Sequence, residues 1–124
     1  METRTALSAP HAFKREVEEL GRAHGVEGAV LASRDGLLLV NAFPSLPQPE
    51  VFCAMHAAAL GAAEMALRGI DGAGVSLIAD VGERRFVSRA VNESLFVVVS
   101  VAADADCHSI AAWMDGLGRR MALT

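Results

Sequence analysis

The stretch Glu50 to Ile70, EVFCAMHAAALGAAEMALRGI, constrains the fold more than any other part of the chain. It reads as one helix of about twenty residues with almost no polar face. Ala54, Ala58, Ala62 and Ala66 recur at every fourth position, so they form one narrow stripe down the cylinder. Cys53, Ala57 and Gly61 lie beside that stripe and are also small. Phe52, Met55, Ala59, Ala63 and Ile70 make a second apolar stripe. A helix that is apolar nearly all round must be covered on more than one side. A sheet can supply one cover. The alanine stripe suits another helix at the close end of the roughly 8–10 Å range for packed helices. The rest of the chain offers no second cover, so the sequence implies a copy of the same helix from another subunit. Close packing of the alanines on this subunit's own sheet is the alternative.

The remaining elements follow in order. Residues 1–7 read as a flexible tail, and 8–124 as a single domain. Ser8 is placed to cap a helix with Pro10 in its first turn, and Phe13, Val17 and Leu20 form its buried edge. Gly25 suits the left-handed position that ends it. Ala29-Val30-Leu31-Ala32 and Leu37-Leu38-Leu39-Val40 flank Arg34-Asp35-Gly36, the signature of a tight hairpin with positive φ at both Asp35 and Gly36. Phe43 to Pro49 holds three prolines and reads as an extended connector. The central helix stops near Gly69 and Gly72.

Three strands come next. Val75 to Asp80 is followed by a turn at Val81-Gly82-Glu83, then Arg84 to Val91, then a turn at Asn92-Glu93. Leu95 to Val101 is the most uniformly β-branched run and is expected at the centre of the sheet. Asp104 or Asp106 caps a last helix with Cys107, Ile110, Met114, Leu117 and Met121 on one face. The order α-β-β-α-β-β-β-α gives an α+β domain with a five-stranded antiparallel sheet. The central helix covers one face and the terminal helices the other.

Composition narrows the function classes. A net charge of −4 gives no reason to expect nucleic acid as a partner. The central helix carries Glu50, His56, Glu64 and Arg68, which argues against a membrane span. The N-terminus lacks the apolar core of a signal peptide, so a cytoplasmic protein with reduced Cys53 and Cys107 is expected. Lys14 is the only lysine and no phosphate-binding Gly-x-x-x-x-Gly-Lys motif occurs, so the chain is not itself a GTPase of that type. Cys53, His56, Cys107 and His108 fit no known zinc spacing, and no metal or cofactor is expected. Asp104, Asp106 and His108 could form an acid–base cluster, but an acidic first turn facing a helix dipole explains the same aspartates and is the favoured reading. Arg84, Arg85 and Arg89 have two readings: a grip on a binding partner or its phosphates, or charge that keeps an edge-proximal strand soluble.

Three segments together resemble the roadblock / dynein light chain domain family, which includes bacterial Mgl-type polarity regulators and archaeal relatives. They are Gly25 to Leu37, the alanine-rich helix with Ala62-Ala63-Glu64, and Leu95 to Val99. The resemblance spans roughly Phe13 to Trp113, and the prolines of 43–49 depart from it. It implies a homodimer, or a heterodimer with a paralogue, whose central helices pack antiparallel across a two-fold axis. The third strand, Val75 to Ala79, would pair with its copy. That assigns Ala54, Ala58, Ala62, Ala66, Val75, Leu77 and Ile78 to the dimer interface. It further implies a non-enzymatic regulator or scaffold of a small Ras-like GTPase, including stimulation of GTP hydrolysis or exchange, or a motor-complex light chain. Some bacterial members speed hydrolysis without an arginine of their own. A small-ligand sensor of PAS or GAF type shares the sheet-and-helix order and is the alternative. It would need an enclosed pocket with a few polar groups.

Overall fold

The computed structural model describes residues 2–70 and 74–121. Three helices and five strands follow in the expected order: α1 (Glu2–His24), β1 (Val26–Ser33), β2 (Leu38–Ala42), α2 (Pro49–Ala66), β3 (Ser76–Val81), β4 (Arg84–Ala90), β5 (Leu95–Ala102) and α3 (Cys107–Arg120). All strand pairs are antiparallel and the spatial order is β2-β1-β5-β4-β3. β5 is central as expected, between β1 and β4, because Phe96 to Val101 can be buried on both faces. β2 and β3 are the edges.

Alternation along the strands divides the core in two. Ala29, Leu31, Val87, Val97, Val99 and Val101 face α1 and α3, meeting Phe13, Val17 and Leu20 from one and Ile110, Met114 and Leu117 from the other. Val30, Ala32, Phe96 and Val98 face the opposite way and meet Cys53 and Leu60 of α2, with Phe43 and Leu46 closing that side. The layers are therefore α2, sheet, then α1 with α3.

Several local expectations change. α1 starts at Glu2, so Ser8 and Pro10 lie inside the helix and not at its cap and first turn. Ala6, Leu7 and Ala9 are good helix formers, and they carry the helix through what reads in sequence as a tail. α2 ends at Ala66, with Leu67 as its C-cap and Gly69 in the left-handed region at φ 86°. Gly72, expected to help stop this helix, lies outside the described residues. Val75 sits just before β3 and not within it.

The β1–β2 turn also differs, because Gly36 takes positive φ (96°) whereas Asp35 does not. Gly36 N–H donates to the Ser33 carbonyl at 2.9 Å, and Ser33 N–H donates to the Leu37 carbonyl at 2.9 Å. This is a longer turn with one left-handed glycine, and a bulge follows where the register shifts between Leu31 and Ala32. The 43–49 connector turns instead of running extended. Leu46 N–H donates to the Phe43 carbonyl at 3.1 Å, with Pro44 at the position a turn favours. Phe43 and Leu46 can then both reach the core.

Candidate interaction surface

The residues that hold α2 to its own chain are few. Cys53 and Leu60 are its buried side chains. Phe52 leans on Phe86 of β4, ring centroids 5.5 Å apart, and on His56 at 4.1 Å. The sheet-facing line is thus Cys53, Ala57 and Leu60, with Phe52 at its margin. The larger stripe expected there is split, because Met55 and Ile70 point outward, 66% and 58% exposed. Positions 53, 57 and 60 share one face at helical spacing, and the small Cys53 and Ala57 let the helix sit close to the strands.

The opposite side of α2 is apolar and uncovered by this chain. Ala54, Ala58, Ala62 and Ala66 are not buried on their own sheet: all four are exposed. Val51, Met55 and Met65 are exposed beside the stripe, Met65 at 69%. Sequence reasoning singled out the alanines and missed Val51 and Met65. Their signal was available, since both lie one helical step from the stripe.

The two flanks of this face differ. On one, the β1–β2 turn reaches over the helix: Arg34 forms an ion pair with Glu64, and Gly36 lies so near Ala54 that an added Cβ would stand 2.9 Å from its Cα. On the other flank lies the free edge of β3. Leu77 packs toward α2, whereas Ile78 points to the α3 side and is 46% exposed. No charged residue interrupts Ser76 to Ala79, an arrangement that leaves an edge open to pairing.

The three candidate arginines do not converge. Strand alternation sends Arg84 to the α2 side and Arg85 and Arg89 to the α3 side. Arg84 reaches Glu27 at 3.1 Å and stands over the Phe43 ring. Arg85 makes a forked pair with Asp80, at 2.6 and 3.1 Å, and also approaches the Cys107 thiol. Arg89 bridges Asp115 at 2.6 Å and Ser76 at 2.7 Å. Hydrogen bonding from Arg85 holds the Asp80 carboxyl below its ordinary pKa.

Asp106, and not Asp104, caps α3. Its carboxylate accepts from the His108 and Ser109 amides and from the Ser109 hydroxyl. Those bonds, led by the Ser109 hydroxyl, lower its pKa, and they engage the carboxylate as the helix cap. Cys53 and His56 lie on the opposite sheet face from Cys107 and His108. Burial, with a smaller push from Glu50, raises the Cys53 thiol to about 11, so it stays protonated. Among the described residues no three His, Cys, Asp or Glu side chains gather as a metal site. No described helix is long and apolar enough to cross a membrane.

The family model for the Roadblock/LC7 domain matches residues 13–100. This chain belongs to the Roadblock/LC7 domain family. Solved structures of Roadblock/LC7 type share its fold at low identity. The gliding protein MglB from Thermus thermophilus superposes with a TM-score of 0.74 at 15% identity, covering 94% of this chain and 93% of that one. A Roadblock/LC7 domain from Streptomyces avermitilis gives 0.71 at 18% identity, covering 90% and 98%. Myxococcus xanthus MglB gives 0.70 at 12%, covering 86% and 91%. Comparison with curated proteins finds no match. The Roadblock/LC7 fold therefore accounts for the layer order seen here.

Proposed function

We propose that this chain acts as a cytoplasmic, non-enzymatic dimer that binds a small Ras-like GTPase as its regulator or scaffold. The observation that carries the dimer is the outer face of α2, where Val51, Ala54, Met55, Ala58, Ala62, Met65 and Ala66 lie uncovered without a charge among them. Monomeric proteins rarely leave a patch of this kind open. A second copy with antiparallel α2 would cover about 27 Å of helix. Pairing of β3 with its copy would satisfy the free edge at Leu77 and Ile78, with Val75 leading into it. A specific interface needs roughly 1,000 Å², so the proposed contact uses the helix face and the strand edge together.

The GTPase half rests on family membership. The arginines stand apart from it, since each is paired within the chain and they face opposite sides of the sheet. The PAS or GAF alternative needs an enclosed space between α2 and the sheet. Phe43, Leu46, Leu60, Phe96 and Val98 fill that layer.

Sedimentation velocity at micromolar concentration tests the dimer, and a single monomer boundary would refute it. Pull-down with small Ras-like GTPases, loaded with GDP or a GTP analogue, tests the partner. A dimer that captures none in either state retains the scaffold reading and loses the regulatory one.

A further inference from the structure

α2 is held lightly for a helix at the centre of its layer. Cys53 and Leu60 are its buried side chains, whereas α3 buries Ile110, Met114 and Leu117 and is capped by Asp106. Its own N-cap, Gln48, makes no side-chain cap bond and sits in the left-handed region at φ 47°. Besides its sheet contacts and that of Phe52 on Phe86, the β1–β2 turn holds α2 from one flank. Arg34 pairs with Glu64 across thirty positions of sequence, both side chains about a quarter exposed. Gly36 rests on the Ala54 backbone ten residues nearer the N-terminus. The turn is itself anchored, since Arg34 N–H donates to the Ser94 carbonyl at 2.8 Å. The grip is incomplete, because Arg34 Nε is buried without a hydrogen-bond partner among the described residues.

We propose that the β1–β2 turn is a latch that sets the lateral position of α2 on the sheet and thereby tunes how tightly two copies associate. The inference rests on the dimer reading above. If β3 pairs with its copy, backbone hydrogen bonds fix the two-fold axis. The distance between the two α2 helices then depends on where each sits on its own sheet. A sideways shift of α2 enters that distance twice, once from each subunit. Arg34 and Glu64 lie on the flank away from β3, so they tune the contact without belonging to it.

The test uses the full chain and the variants Glu64→Gln, Arg34→Gln and the double reversal Arg34→Glu with Glu64→Arg. Amide hydrogen exchange is followed in α2 and in β5, and the dimer dissociation constant is measured over a concentration series. Each single variant is expected to speed exchange in α2 by roughly two- to fivefold, with β5 unchanged. The dissociation constant should rise at least about threefold, and the double reversal should recover most of both effects. Unchanged α2 exchange overturns the latch. So does a rise shared equally by β5, which would mean general destabilisation. Altered α2 exchange with an unaltered dissociation constant overturns the tuning. A wild-type chain that stays monomeric refutes the dimer reading, and the exchange measurement still decides whether the latch holds α2.

Discussion

Gly36 shows how much one residue decides when backbone conformation and packing coincide. Its φ of 96° is one that side chains resist, and the space where a Cβ would go is taken by Ala54. Gly36→Ala should cost about 2 kcal/mol or more, read as a lower urea midpoint with unchanged slope. Gly61, in the interior of α2 with open space around its missing Cβ, is the control. There alanine should stabilise by about 0.5–1 kcal/mol. Two buried hydroxyls offer a different case. Ser88 and Ser100 are each 1% exposed, and neither Oγ finds a hydrogen-bond partner among the described residues. Removing an unpaired buried hydroxyl sacrifices no bond, so Ser88→Ala and Ser100→Ala should leave the melting temperature unchanged or raise it. A clear fall in either variant would show that the hydroxyl is satisfied.

At the scale of elements, α2 carries the pH dependence. Burial lowers the His56 pKa from 6.5, with the Phe52 carbonyl opposing the shift through a 3.2 Å contact to the ring. The native chain therefore favours neutral His56. Its stabilising contribution is complete above about pH 6.5 and shrinks as pH falls through the lowered folded value. The urea midpoint should drop between pH 7.5 and 5.5, and His56→Gln should flatten that drop. Asp80 and Asp106 have depressed values too, so their contributions fade only in more acid solution.

The elements also show what a sequence can reveal. The succession of helices and strands along the chain and the central place of β5 are legible in the sequence because alternation and β-branching are local signals, whereas the spatial order of the other strands is not. Asp106 was legible as one of two aspartates beside a helical pattern. The failures have a common cause. The hold of Arg34 on Glu64 joins residues thirty positions apart, and no local pattern announces it. Arg84, Arg85 and Arg89 look like a cluster in one dimension, yet strand period two divides them between faces. Ser8 and Pro10 match a cap rule that the surrounding helix formers override, so α1 starts earlier than that rule places it.

For the whole molecule, the decisive question is whether the apolar face of α2 and the free edge of β3 serve one contact or two. A single two-fold interface predicts that damage to either releases both. Ile78 projects from β3 on the side away from α2, about half exposed, so Ile78→Lys leaves the core of one chain intact. In a paired sheet, however, it would set like charges close together across the axis, which is destabilising. Ala62→Leu acts at the other end of the surface by forcing close-packed helices apart. Both variants should sediment as folded monomers, with unchanged circular dichroism, at concentrations where the wild-type chain is dimeric. If Ala62→Leu separates the subunits and Ile78→Lys does not, the helices alone make the contact and β3 stays an open edge. If neither does, α2 presents its apolar side to something other than its twin.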